Sequence, residues 1–141
     1  MALNPTHLVD KSVTVRMRHE VVIRRVGPLL LAGLLATCAV TELEVLFSAR
    51  NQKEYEALRA ERLRAYVWVP LDDDIHLRAL EVQRALARRN HHRTVKLPDL
   101  LLAAAAESYG LAVLHYDRDF ERIAEVTGQP SEWVVPAGTV P

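Results

Sequence analysis

Short apolar runs alternate with amphipathic stretches along this 141-residue chain, and the alternation predicts strands and helices in turn. His7-Leu8-Val9-Asp10 reads as a brief strand. Ser12 is placed to cap a helix over Val13 to Val26, which Gly27-Pro28 should break. Leu34 to Cys38 reads as a second strand, with a helix continuing from Pro28 as the competing assignment, since short apolar runs fit either. A helix then carries Val40, Leu43 and Phe47 on one face, with Glu44 on that same side. Glu42 lies about 200° away around the helix and points elsewhere. Gln52 to Ala65 is a charged amphipathic helix with Tyr55, Leu58 and Leu63 as its apolar contacts. Tyr66 to Val69 is β-branched and aromatic, ends at Pro70 and predicts a third strand. Ile75, Leu80 and Leu86 mark the next helix.

The stretch from Leu97 to Ile123 organises the rest. Pro98 restricts Leu97 to extended geometry, Asp99 is placed to cap the turn that follows, and Gly110 supplies a left-handed stop. Leu100 to Tyr109 is apolar on nearly every face, as in a helix covered on more than one side. Leu111 to Leu114 has the continuous apolar character of a buried parallel strand, and Asp117 and Asp119 follow beyond its carboxyl end. Phe120 to Val126 predicts a short helix and Trp133 to Val135 a last strand, with a loose tail between Pro136 and Pro141. Strands and helices joined by short connections imply an α/β fold: a three-layer α/β/α sandwich with a mainly parallel central sheet, one domain over residues 1–141.

Composition narrows the setting. Half the residues are hydrophobic, enough for a sizeable core, and 18 basic residues balance 18 acidic ones. Any polyanion site must therefore be local. The single cysteine, Cys38, sits in an apolar run and suits a reducing, cytoplasmic compartment. The run Leu29 to Thr41 is too short for a membrane span, which needs about 20 apolar residues, and it starts too far along to be a signal peptide.

Acidic residues at strand ends carry the chemistry. In a parallel sheet Asp10 and Asp117 share the carboxyl edge, where such folds keep their sites. Asp99 can face that edge from a helix start, and Glu44 can reach it from its own helix. Carboxylates brought so close repel one another and raise their own pKa values, a conflict that a divalent cation removes. Oxygen-only ligands favour Mg²⁺ or Mn²⁺ over zinc, and phosphodiester hydrolysis is the chemistry such an ion supports. Each residue also has a plainer reading: Asp99 as a helix cap, Asp117 and Asp119 as turn residues, Glu44 on a solvated helix face. Asp72-Asp73-Asp74 reads best as a favourable helix start, because consecutive helical residues fan outwards. Arg88-Arg89-Asn90-His91-His92-Arg93, leading to Lys96, is a basic loop suited to phosphates or a protein partner.

Five segments in register resemble a known family: His7-Leu-Val-Asp-Lys-Ser12, Leu43-Glu-Val-Leu-Phe-Ser-Ala-Arg50, His92-Arg93, Pro98-Asp-Leu-Leu-Leu-Ala-Ala-Ala105 and Leu114-His-Tyr-Asp-Arg-Asp-Phe120. They are similar to the PIN-domain ribonucleases, and most to the VapC toxins of bacterial toxin–antitoxin pairs. The resemblance implies that Asp10, Glu44, Asp99 and Asp117 form an acidic quartet, with Asp119 as an accessory acid and Ser12 as a supporting hydroxyl. It implies Mg²⁺- or Mn²⁺-dependent cleavage of tRNA or rRNA leaving a 3′-hydroxyl, a homodimer, and a VapB-type antitoxin whose tail blocks the cleft. Arg88, Arg89, His92, Arg93 and Lys96 become candidates for RNA phosphates. Lys11 departs from the family's usual small polar residue. Two rival classes are a haloacid-dehalogenase-like phosphatase, which needs an aspartate where Ser12 stands, and an idle PIN-like binding module, whose signature would be a missing acid.

Overall fold

A computed structural model describes residues 4–141. Five strands, β1 (His7–Val9), β2 (Leu35–Thr37), β3 (Val67–Trp68), β4 (Ala112–His115) and β5 (Ser131–Trp133), pair in the order β3-β2-β1-β4-β5 with every neighbour parallel. Successive strand residues point to opposite faces and both faces are covered, which is why the strands are apolar almost throughout. Leu8, Ala36 and Val113 join one core with Ile75 and Leu86 of α5 (Asp73–Ala87), Leu102 of α6 (Leu97–Tyr109) and Phe120 of α7 (Asp119–Thr127). Val9, Leu35 and Leu114 join the other with Val13 of α1 (Lys11–Thr14), Val22 and Val26 of α2 (Glu20–Leu31), and Val134. The result is the three-layer sandwich. Strand β1 pairs with β2 on one side and β4 on the other, so the chain reverses direction across the sheet at this point.

Several expectations change. The predicted helix over Val13 to Val26 is two helices: α1 is a single turn, and α2 runs through Gly27 and Pro28. Pro28 lies near the end of α2, so its ring removes one hydrogen bond, while Val22 and Val26, both fully buried, hold the helix. Gly33, at φ 72°, then turns the chain into β2. In α3 (Ala39–Phe47) the inner residues are Thr41, Val45 and Leu46, whereas Leu43 and Phe47 are 69% and 91% exposed. That helix is apolar on several sides, so spacing alone did not select its buried face. Helix α4 (Gln52–Ala65) buries Arg62 and exposes Leu63, and α5 exposes Leu80. The last strand starts two residues earlier than predicted, and Val134 and Val135 beyond it are buried. The tail is not loose. The Tyr116 hydroxyl donates to Val140 O at 2.7 Å and accepts from Gly138 N at 2.9 Å.

Candidate metal centre

Asp10 directly follows β1 and is 3% exposed. Its Oδ2 accepts the Ser12 N–H at 3.0 Å, so Asp10, and not Ser12, caps α1. The Ser12 hydroxyl is used instead across the sheet, accepting the Tyr116 N–H at 2.8 Å and tying the loop after β1 to the loop after β4. Asp117, just beyond β4, is shaped from both sides. Its N–H donates to His115 Nδ1 at 3.1 Å, and its Oδ1 accepts the Asp119 N–H at 2.9 Å. Burial lowers the His115 pKa to about 4, so the ring is neutral and its Nδ1 is free to accept.

Asp99 lies in the first turn of α6 but does not cap it. The helix starts at Leu97, one residue before Pro98, and Lys96 at its head makes no side-chain cap. Asp99 is 2% exposed, and its buried Oδ2 has no hydrogen bond among the described residues, the Lys96 ammonium lying 3.4 Å from it. Oxygen atoms of Asp99, Asp117 and Asp119 all lie within 4.8 Å of one another. Burial, a hydrogen bond to Asp119 and the charge of Asp10 push Asp99 well above the usual carboxylate range. Burial also drives Asp10 up, with Glu44 and Asp117 adding to the rise. Asp119 moves the other way: burial would raise it, but hydrogen bonds from Asp99 and from the Lys96 backbone and ammonium outweigh that.

A cation already answers this charge. Lys96 Nζ lies 2.6 Å from Asp117 Oδ2, 3.0 Å from Asp119 Oδ2 and 3.4 Å from Asp99 Oδ2. The orphaned Asp99 oxygen, the oxygen-only donor set and an ammonium among three acids all fit a hard divalent ion.

The two acids of α3 have different neighbours. Glu44 faces Asp10 and Lys11, whose Nζ is 3.3 Å away. Glu42 is committed elsewhere: Arg62 reaches it at 2.8 Å through Nε and again through Nη2, and the Thr37 hydroxyl donates to it at 2.5 Å. The basic loop divides as well. Lys96 joins the acids, whereas Arg88, Arg89, His92 and Arg93 are exposed, and Arg89 lies 3.8 Å from Glu125 near the far end of α7.

The PIN-domain family model matches residues 8–126. The chain belongs to the PIN-domain family. It is 47% identical over 133 residues to Ribonuclease VapC21 of Mycobacterium tuberculosis, covering 94% of this chain and 96% of that protein. It is 49% identical over 134 residues to Ribonuclease VapC51 of the same species, covering 95% and 96%. Its backbone superposes on DNA-bound VapBC from Salmonella typhimurium with TM-score 0.77 at 18% identity, over 93% of this chain and 99% of that one. VapBC-5 from Mycobacterium tuberculosis gives TM-score 0.63 at 23% identity, over 91% and 97%. These structural likenesses concern the fold.

In this PIN domain the sequence reading passed over three contributors. His115 holds the Asp117 backbone, Arg62 pairs with Glu42, and Arg122 donates to Asp119 Oδ1 at 3.1 Å. Arg122 was detectable, because it stands three residues after Asp119 on one helix face. The other two are long-range contacts with no signal in local spacing.

Proposed function

We propose that this chain is a metal-dependent endoribonuclease, the toxin of a type II toxin–antitoxin pair, that hydrolyses RNA phosphodiesters. The observation that carries the reading is the trio of buried Asp99 and Asp119 with half-buried Asp117, closed by Lys96 and flanked by Asp10, at the carboxyl edge of a parallel sheet. Asp10, Asp99, Asp117 and Asp119 would hold the ion, Mg²⁺ or Mn²⁺. When bound, that ion polarises a phosphoryl oxygen and lowers the pKa of water at neutral pH. Glu44 completes the catalytic quartet with Asp10, Asp99 and Asp117, orienting the nucleophile's proton from the α3 side. Ser12 supports by fixing the two acidic loops against each other. Lys96, which would leave the acids where an ion is held, would meet the RNA phosphate, with Arg88, Arg89, His92 and Arg93 further along the strand.

The curated relatives at 47% and 49% identity are named ribonucleases, which supports the reaction. The superposed structures are VapBC complexes, which supports a cognate VapB-type antitoxin; a homodimeric toxin is part of the same proposal. Among the described residues no helix is long and apolar enough to cross a membrane. A cytoplasmic setting is supported by the buried free thiol of Cys38, and the domain takes in the whole chain, 1–141. The test is incubation of the purified chain, freed of antitoxin, with total bacterial RNA in Mg²⁺ or Mn²⁺, with EDTA and Asp10→Asn controls and sequencing of new 5′ ends. Discrete cuts that need both the metal and Asp10 are expected. A folded, metal-bound chain that makes none would point to the idle binding module.

A further inference from the structure

The metal centre opens into a cavity whose remaining lining has no role in the chemistry described so far. An open cavity of about 480 Å³ is lined by Asp117, Asp119, Arg16, Arg118 and Arg122 together with the aromatic rings of Tyr116 and Trp133. The three guanidinium groups come from separate places: the turn after α1, the loop after β4 and the first turns of α7.

Two of these arginines meet carboxylates, and Arg16 meets none among the described Asp and Glu side chains. Among the described residues Arg16 donates to main-chain oxygens, to Ser12 O at 2.8 Å and Pro141 O at 2.9 Å, and rests 4.5 Å from the Tyr116 ring centroid. Arg118 lies 5.7 Å from the Trp133 centroid and meets Glu121 at 3.4 Å, with 67% of its side chain exposed. Arg122 is paired with Asp119. In a chain of zero net charge this is a concentrated local field. A divalent ion held by Asp117 and Asp119 would take up the two carboxylates among the described lining residues, leaving Arg118 its contact with Glu121. Arginine forks matched to phosphate oxygens, next to aromatic faces on which a base can stack, are the chemistry by which single-stranded RNA is held. The volume falls within the range of small-ligand sites.

We propose that this cavity is a nucleotide-binding subsite for the RNA strand immediately beside the cleaved bond. Arg16 and Arg118 grip a backbone phosphate there, and the Tyr116–Trp133 wall receives the adjoining base. The subsite rests on the ribonuclease reading and extends it, because its position makes the metal centre and the strand path one continuous surface.

The test is fluorescence anisotropy with a fluorescein-labelled oligouridylate of about 12 nucleotides in Mg²⁺, titrated at salt concentrations from roughly 50 to 300 mM. Wild type is compared with Arg118→Gln, Arg118→Glu and, as a distant control, Arg59→Gln on the exposed face of α4, each checked for an unchanged melting temperature. Arg118→Gln should weaken binding about fivefold and flatten the slope of log affinity against log salt by about 0.7, the signature of one lost phosphate contact on a single strand. Arg118→Glu should weaken it further, and Arg59→Gln should not change it. Wild-type affinity and slope in both Arg118 variants, in a chain that still cleaves RNA with metal, would overturn the subsite and leave the nuclease standing. A wild-type chain that neither binds this RNA nor cuts any would overturn both.

Discussion

Glu42 and Glu44 stand two residues apart on α3, and exchanging them experimentally should separate stability from chemistry. Arg62 is 4% exposed in its side chain and draws its compensation from Glu42, with Thr14 at 3.5 Å and the Tyr66 ring at 4.4 Å as weaker neighbours. Glu42→Ala leaves that guanidinium buried and unpaired. Breaking one side of a buried ion pair costs about 3–5 kcal/mol, which for a domain of this size is a fall in Tm of roughly 10–15 °C. Glu44 is different: its partner Lys11 is 44% exposed in its side chain, so Glu44→Gln should cost under about 1 kcal/mol. It should nevertheless reduce Mn²⁺-dependent RNA cleavage by at least about tenfold, the scale of losing a group beside a metal. Calorimetric unfolding and a cleavage time course on the two variants decide the matter. The assignment is refuted if Glu44→Gln unfolds early, or if folded Glu42→Ala loses activity while Glu44→Gln keeps it.

Further outcomes follow from the same charges. Asp99→Asn should fold with stability equal to or above that of the metal-free parent, because it removes a buried carboxyl that burial already disfavours, while Mn²⁺ affinity by calorimetry falls at least about tenfold. Lys96→Met should lower the Tm of the metal-free chain and enlarge the rise in Tm on adding Mn²⁺, since the ion no longer displaces an ammonium held by three acids. His115 has a folded pKa of about 4 against 6.5 unfolded, so the unfolded chain takes up the proton first as pH falls. Its contribution is fully present above about pH 6.5 and is lost as pH drops towards 4, amounting to roughly 3 kcal/mol. Asp99 titrates in the opposite sense, its raised pKa favouring the folded state at low pH, so the His115 effect is read as the difference in urea stability between wild type and His115→Asn across pH 4–7.

Much of this protein was legible because its strands are buried on both faces. Runs such as Leu111 to Leu114 therefore advertise themselves, and Gly110, at φ 67°, ends α6 where expected. The acids at strand ends followed from topology alone. What failed was local chemistry overridden by packing. Pro28 reads as a breaker, yet α2 carries on because Val22 and Val26 anchor it. Asp99 reads as a cap, yet its carboxylate turns inward to the other acids and leaves the helix start without one. Leu43 and Phe47 read as a buried face, yet Thr41 and Val45 pack inside while those two face solvent. The tail read as loose because Pro, Ala and Gly offer little to pack, and no spacing rule predicts that the Tyr116 hydroxyl would gather it.

The central claim is that carboxylates holding a divalent ion direct water at the RNA backbone, and the ends of the product test it most directly. Purified chain is incubated with its RNA substrate in Mn²⁺, and the upstream fragments are assayed for extension by poly(A) polymerase, which needs a free 3′-hydroxyl. The account predicts extendable 3′-hydroxyl ends, abolished by EDTA and by Asp99→Asn. Fragments ending in a 2′,3′-cyclic phosphate, formed equally well in EDTA, would mean that the ribose hydroxyl is the nucleophile and would contradict it.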